Sequence, residues 1–254
     1  MCAVVEDGRF VHRILRILSI ALITAGLVIL VDVGLTLAWK EPLSSVYGSL
    51  QQGQAEDELR ELEDRFPSEE LLARALSEDE LADRVGVLAD AFEQEVERGQ
   101  AIGRIVIPRI DLNIVVVEGT DTASLRKGPG HYTLEGTKPE LREQGDGSAF
   151  PGQGKTVGIA GHRTTYLAPF RRIDEIQPGD EITLQMPYAT FTYEVEKHEI
   201  VEPSDVGIVE NVGYDRLVLT ACHPLYSAAQ RYAQFARLTE VNLFAPGERR
   251  WQDP

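Results

Sequence analysis

The sequence predicts an all-β domain in the second half of the chain, and three observations support this fold class. Short runs of β-branched and aromatic residues begin after Gly103, turn residues separate them, and helical periodicity is rare among them. Seven runs are predicted to form strands: 104–107, 113–117, 156–160, 181–186, 190–202, 216–221 and 231–240. Seven or eight short strands within about 140 residues are typical of a β-barrel or a β-sandwich.

Proline and glycine mark where these strands end. Pro108 follows the first run, a Pro-Gly-Asp triplet at 178–180 precedes the fourth, and Pro203 follows the fifth. Proline has no backbone N–H to donate to a sheet, and Pro-Gly-Asp clusters favour turns. Two connecting stretches, 122–127 and 169–176, are predicted to form short helices.

The N-terminus is predicted to be a transmembrane signal-anchor helix over residues 14–39. Ile14, Leu15 and the runs 17–31 and 33–39 are predominantly apolar, and Asp32 separates the two runs. About 25 such residues at a rise of ~1.5 Å each cross the hydrocarbon core of a bilayer. Three arginines, Arg9, Arg13 and Arg16, precede the continuous apolar run that begins at residue 17. Basic flanks stay in the cytoplasm, so residues 1–13 are expected inside and the rest outside. A cleaved signal peptide is the alternative, but its apolar region would be shorter.

Residues 40–99 are predicted to form an acidic helical juxtamembrane segment. Positions 41–100 contain 17 acidic side chains and 5 basic ones, and apolar residues such as Leu59, Leu62 and Phe66 recur at helical spacing. Ser77 with Glu80 resembles a capping box at the start of the last helix. The default expectation is a solvated spacer between membrane and domain. A coiled-coil contact and a cover over an active site are the alternatives.

Composition and motifs exclude several function classes. A net charge of −16 argues against a nucleic-acid surface, because phosphate binding needs clustered Lys and Arg. The sequence has no Gly-rich phosphate loop, no Cys-x-x-Cys pair and no internal repeat. A metal site formed by His162, Cys222 and His223 is conceivable, but nothing else supports it. No metal or cofactor is therefore predicted.

Cys222 is the first candidate for chemistry. The chain has two cysteines, and the predicted topology leaves Cys2 in the cytoplasm and Cys222 outside, so they cannot pair within one chain. An unpaired exported thiol is notable in an oxidising compartment. Cys222 also ends an apolar run, where a strand holds it rigidly and solvent can reach it. A buried, inert cysteine is the alternative.

His162 and Arg231 are the candidate partners of this thiol. His162 ends another strand, and a nearby imidazole or guanidinium favours the nucleophilic thiolate. His223 is a rival base, but consecutive strand residues point to opposite faces. If Cys222 lies opposite Ala229 in the following hairpin, Arg231 shares its face as a diagonal neighbour. A slip of one residue would reverse this.

Three stretches of the chain resemble the sortases, in particular the class E enzymes of high-GC Gram-positive bacteria. Residues 220–231 read TACHPLYSAAQR, residues 161–170 read GHRTTYLAPF, and residues 128–132 read GPGHY. The similarity extends over about residues 100–240. Ala221 and Ala229 depart from the expected Thr and Arg, and the stretch 135–155 is longer than expected.

This resemblance implies a closed eight-stranded sortase-type β-barrel over 100–243, followed by a C-terminal tail at 244–254. It also implies a two-step acyl transfer. Cys222 would cleave a C-terminal sorting signal of the Leu-Ala/Pro-x-Thr-Gly type between Thr and Gly, and a thioacyl enzyme would pass the protein to a cell-wall precursor amine resembling lipid II. His162 would transfer protons, and Arg231 would stabilise the substrate and the oxyanion.

Tyr132, Tyr166 and Thr220 are the expected substrate-binding residues, and the class E likeness favours Ala over Pro in the signal. The expected location is the cell membrane, crossed once, with the catalytic domain extracellular. Two rival functions stay open: a secreted cysteine protease or hydrolase that uses water as acceptor, and a non-catalytic membrane-tethered binding module. Residues from about 100 onward are expected to fold without the preceding segment.

Overall fold

The computed structural model describes residues 5–38, 42–133 and 148–244. It divides into two compact units, Met1–Pro42 and Leu43–Pro254. Three features treated above lie outside the described residues: Cys2, most of the 135–155 stretch, and the tail after Phe244.

The first unit consists of one long helix, α1 (Val5–Ala38). Its segment Val11–Gly34 has a mean hydropathy of 2.6 and exposes its apolar side chains all round, Ile23 and Leu30 among them. A helix that is apolar on every face is suited to lipid rather than to water. Among the described residues it is the one helix long and apolar enough to cross a membrane.

Eight strands form a closed barrel in the second unit, as the sequence predicts. They are ordered β1-β2-β3-β4-β7-β8-β6-β5 around it. The β2–β3 and β4–β7 pairs are parallel and the others are antiparallel. The strands are β1 Ala101–Ile107, β2 Leu112–Glu118, β3 Gly130–His131, β4 Thr156–Ala160, β5 Glu181–Gln185, β6 Ala189–Val201, β7 Arg216–His223 and β8 Gln230–Leu243.

The connections differ from the sequence prediction in one place. Helix α5 (Thr122–Lys127) forms as predicted, and Asp121 caps it by accepting hydrogen bonds from the N–H groups of Ala123 and Ser124. The predicted helix at 169–176 is reduced to a 3₁₀ turn at Ile173–Glu175. Two further 3₁₀ turns are Pro108–Ile110 and Val206–Val209.

The acidic segment forms three helices: α2 (Pro42–Arg65), α3 (Glu69–Leu76) and α4 (Leu81–Glu95). Ser68 caps α3 by accepting a hydrogen bond from the Leu71 N–H. The capping box predicted at Ser77 is wrong, because Ser77 ends α3 and α4 begins after Glu80 without a side-chain cap.

The acidic helices pack against the barrel and do not form a solvated spacer. Their apolar faces join the main core, and Phe92 of α4 lies 5.3 Å from the rings of both Phe150 and Tyr188, measured between centroids. Arg104 of β1 also forms an ion pair with Glu56 of α2. The helical period correctly identifies the buried face, but that face is covered by the barrel. A fragment that begins near residue 100 would therefore expose the part of the barrel core that these helices cover.

Candidate active site

Cys222 and Arg231 lie directly opposite each other on β7 and β8. The condition stated above, with Ala229 opposite Cys222 and Arg231 on the diagonal, is not met, because the observed register differs from it by two residues. A shift of two keeps every side chain on its face. Directly opposed residues have Cβ atoms about 4.5–5.5 Å apart, so the Cβ atoms of Arg231 and Cys222 are closer than a diagonal pairing would make them.

The hairpin backbone holds the Arg231 side chain. Its guanidinium donates hydrogen bonds to the carbonyl oxygens of Ala228 and Gln230, at 3.1 and 3.0 Å. Both acceptors are neutral, and Arg231 forms no ion pair among the described residues. Its positive charge is therefore available to an anionic ligand beside Cys222.

His162 follows the parallel neighbour of the cysteine strand. Ala160 of β4 pairs with Thr220 of β7, and the Gly161 N–H donates to the Thr220 carbonyl oxygen at 2.9 Å. Continuing this register by two residues brings His162 level with Cys222. Position 161 requires glycine for a steric reason, because a Cβ there would lie 2.5 Å from the Phe170 ring. The close packing of Phe170 thus fixes where the His162 backbone leaves the strand.

The His162 imidazole is partly buried, and burial lowers its pKa from the ordinary value. Burial disfavours the charged form because a low-dielectric surrounding solvates the imidazolium poorly. At neutral pH the ring is therefore mainly neutral and able to accept a proton. His223, the rival base, has its ring 6.1 Å from that of Tyr232. Tyr232 pairs with Ala221, on the face opposite Cys222.

Comparison with known proteins identifies the family. The Sortase domain model matches residues 105–239, more than half of the chain. The chain belongs to the sortase family. Sortase D from Bacillus subtilis is 34% identical over 145 residues, which are 56% of this chain and 65% of sortase D. The chain thus spans less than two thirds of that relative, and 44% of a second curated sortase.

Solved sortase structures resemble the barrel. The crystal structure of sortase E1 from Streptomyces coelicolor, with a tripeptide in its active site, is 26% identical with a TM-score of 0.51. It covers 58% of this chain and 94% of its own. The sortase D5 transpeptidase of Clostridium perfringens is 25% identical with a TM-score of 0.53, over 73% of this chain and 98% of its own. The resemblance to sortases, with a class E character, is confirmed.

Tyr132 and Thr220 lie on the cysteine face of this sortase and contact each other. The Tyr132 hydroxyl and the Thr220 Oγ1 are 2.7 Å apart, and the Tyr132 ring packs so closely on β4 that a Cβ at Gly158 would lie 2.7 Å from it. Burial raises the pKa of Tyr132, although the nearby Arg231 charge opposes the shift. The phenol therefore stays protonated and can donate one hydrogen bond while its oxygen accepts another.

Tyr166 contacts the histidine. Its ring centroid lies 5.4 Å from that of His162, with the planes at 41°. Close by, buried Arg163 forms an ion pair with Asp174 at 2.8 Å and donates to the Arg171 carbonyl oxygen at 3.2 Å. These bonds fasten the segment that follows His162 to the barrel.

One buried polar network escapes sequence reasoning. His131, for which the sequence favours neither a structural nor a functional role, has its Nδ1 2.8 Å from a carboxylate oxygen of Glu118 and its Nε2 3.0 Å from the Ala149 carbonyl oxygen. Both nitrogens face acceptors, which suits the imidazolium. Burial would lower the pKa of His131, but the Glu118 carboxylate outweighs it and raises that pKa above its ordinary value. Ser148 is a third member, 2.9 Å from Nε2.

The described residues contain no group of three or more His, Cys, Asp or Glu side chains suited to a metal ion. The conceivable site at His162, Cys222 and His223 gains no support, because His223 lies on the opposite face. The chemistry open to this arrangement is nucleophilic, with a thiol, a mainly neutral imidazole and a guanidinium at neighbouring strand ends.

Proposed function

We propose that this sortase is a membrane-anchored cysteine transpeptidase in which Cys222, His162 and Arg231 carry the reaction. The observation that most supports the proposal is the pairing of Cys222 with Arg231, next to a parallel strand whose register leads to His162. His162, which is distant in sequence, thereby comes to the edge of the barrel that holds Cys222 and Arg231. A non-catalytic binding module does not require this coincidence, whereas a hydrolase with the same residues does.

The first step forms a thioester. The Cys222 Sγ attacks the carbonyl carbon of the Thr–Gly bond while neutral His162 accepts the thiol proton. The carbonyl oxygen becomes an oxyanion, and the Arg231 guanidinium stabilises it. The C–N bond then breaks, and the imidazolium gives its proton to the departing glycine amine.

The second step transfers the acyl group to an amine. The amine attacks the thioester carbon, His162 takes one of its protons, and the Cys222 thiolate leaves and is reprotonated. The product is a new amide bond. Water in place of the amine gives hydrolysis, so the protease reading differs in acceptor alone.

The partners in this proposal are surface proteins with a C-terminal sorting signal and a cell-wall precursor amine of the lipid II kind. Residues 14–39 anchor the chain once in the cell membrane, residues 1–13 are cytoplasmic, and the catalytic barrel at 100–243 is extracellular. The apolar, fully exposed Val11–Gly34 segment supports the anchor.

The Ala form of the signal is the preferred substrate in this proposal. Ala has a backbone N–H that Pro lacks, and the Tyr132 oxygen can accept from that N–H while its proton is donated to Thr220. An unpaired buried acceptor costs roughly 1–3 kcal/mol, which is up to about a hundredfold in rate. Tyr166 contacts His162 and Thr220 is buried. Tyr132 is therefore the first candidate for a direct contact with the peptide.

The test uses the full chain in detergent with fluorogenic Leu-Ala-x-Thr-Gly and Leu-Pro-x-Thr-Gly peptides, with and without triglycine. We expect the triglycine conjugate as main product, a higher kcat/KM for the Ala peptide, and no turnover by Cys222→Ala. Equal cleavage by that variant would refute the catalytic assignment. Hydrolysis unaffected by triglycine would favour the protease. A preference for Pro would overturn the specificity alone.

A further inference from the structure

The loop after His162 packs directly against helix α2 of the acidic segment. Gly48 of α2 is buried, and a Cβ placed on it would lie 2.9 Å from the Leu167 Cγ and 3.2 Å from the Tyr166 backbone carbonyl carbon. Real Cβ atoms do not approach other heavy atoms so closely in a well-packed interior. Glycine therefore allows the loop to lie against the helix at this position.

An aromatic chain continues from this contact to His162. The Tyr47 ring of α2 meets the Tyr166 ring edge-on, with centroids 6.2 Å apart, and Tyr166 in turn lies 5.4 Å from the His162 imidazole. Both separations fall in the range of favourable aromatic pairs. The Arg126 guanidinium lies over the same Tyr166 ring at 5.8 Å. The Tyr166 ring thus has two partners, Tyr47 and Arg126, in addition to His162.

The backbone of this loop needs external support. Tyr166, Leu167 and Ala168 have φ angles of 48°, 66° and 45°, a left-handed conformation that is unfavourable for residues with a Cβ. Three such residues in succession persist where surrounding contacts hold them in place. Arg163 and Phe170 hold the two ends of the loop, and α2 contacts its middle.

We propose that helix α2 is a positioning element of the active site, in which Tyr47 and Gly48 hold Tyr166 against His162 and so fix the orientation of the imidazole beside Cys222. The inference rests on the proposed function of His162. Tyr47 and Gly48 are argued to act through Tyr166 and Leu167, which they contact, so they are positioning residues. The acidic segment thereby contributes to catalysis as well as to the core.

This proposal differs in outcome from a cover over the substrate groove. A cover inhibits, so loosening it raises activity and lowers KM. A positioning helix supports the base, so loosening it lowers kcat and leaves KM nearly unchanged. Loosening also exposes His162 to water, which moves its depressed pKa towards the ordinary value near ~6.5.

The experiment compares four variants of the full chain in detergent micelles. Tyr47→Ala removes the ring and Tyr47→Phe keeps it. Gly48→Ala improves helix propensity but crowds Leu167. A loss of kcat with unchanged thermal stability would therefore indicate a displaced Tyr166 loop rather than a destabilised helix. Leu50→Ala is the matched control, because Leu50 lies on the same helix and is 66% exposed.

Two readouts are recorded across pH. The first is kcat and KM with the sorting-signal peptide and triglycine. The second is the rate of Cys222 alkylation by iodoacetamide, followed by mass spectrometry on the tryptic peptide 217–231. We expect Tyr47→Ala and Gly48→Ala to lower kcat about tenfold or more, with KM within about twofold, and to move the acid limb of both profiles to higher pH. Tyr47→Phe and Leu50→Ala should match the wild type.

A Tyr47→Ala variant with the kcat and acid limb of Leu50→Ala would overturn the positioning role, and so would a rise in activity. An inactive wild type would instead contradict the proposed function. The alkylation profile would still test the positioning role in that case, because it needs no turnover.

Discussion

Phe92→Ala tests whether the acidic helices belong to the catalytic unit. Phe92 is fully buried, and its ring lies 5.1 Å from Phe66 and 5.3 Å from both Phe150 and Tyr188. Truncating a buried Phe to Ala typically costs about 3–5 kcal/mol. A domain of this size loses roughly 2–4 °C in Tm per kcal/mol. We therefore expect Tm to fall by roughly 6–20 °C.

The assay is thermal unfolding of the full chain in detergent, followed by far-UV circular dichroism and by the temperature at which amine-transfer activity is lost. Leu81→Ala is the control, because Leu81 is on the same helix and 47% exposed. Both probes should report one lowered transition for Phe92→Ala and a small change for Leu81→Ala. A separate early helical transition, with the inactivation temperature unchanged, would refute the shared core.

Three further predictions concern the site and its supports. Arg231→Lys should lower kcat/KM at least a hundredfold, because a lysine ammonium cannot replace the planar guanidinium fork. His162→Ala should nearly abolish turnover, whereas His223→Ala, on the opposite face, should change kcat/KM less than tenfold; equal losses in the two histidine variants would show that the wrong base has been chosen. The Glu118 carboxylate raises the pKa of His131. The stabilisation from this pair is therefore complete below the unfolded pKa near ~6.5 and is lost as pH rises through the higher folded pKa. Tm measured from pH 5 to 9 should fall across that window in the wild type, and the same slope in Glu118→Gln would contradict the linkage. Gly161→Ala should destabilise the barrel and slow turnover, since the new Cβ would lie 2.5 Å from the Phe170 ring; unchanged Tm and kcat would show that the ring yields freely.

Much of the barrel is predictable because local signals determine it. Alternating apolar residues and Pro or Gly breaks identify most of the strands. β3 is missed because it contains only Gly130 and His131, too few residues for a period to show. The 3₁₀ turn at Ile173–Glu175 replaces a predicted helix in a segment where loop packing outweighs helical propensity.

Other properties depend on contacts that a sequence pattern does not specify. The helical period in the acidic segment shows that one face is apolar, but it does not show that the barrel covers that face. Strand parity places Arg231 on the Cys222 face, yet the hairpin register decides whether the two residues are opposed or diagonal. The contact of Gly48 with Leu167 joins residues far apart in the chain, so no local signal indicates it.

Trapping the thioester on Cys222 tests the central claim most directly. The full chain is incubated with a Leu-Ala-x-Thr-Gly peptide without an amine acceptor, quenched in acid, and analysed by intact-mass and tryptic mass spectrometry. The account predicts an adduct equal to the peptide acyl group ending at Thr, located on peptide 217–231, absent in Cys222→Ala, and lost on adding triglycine. Peptide cleavage with no adduct, or an adduct on another residue, would contradict it.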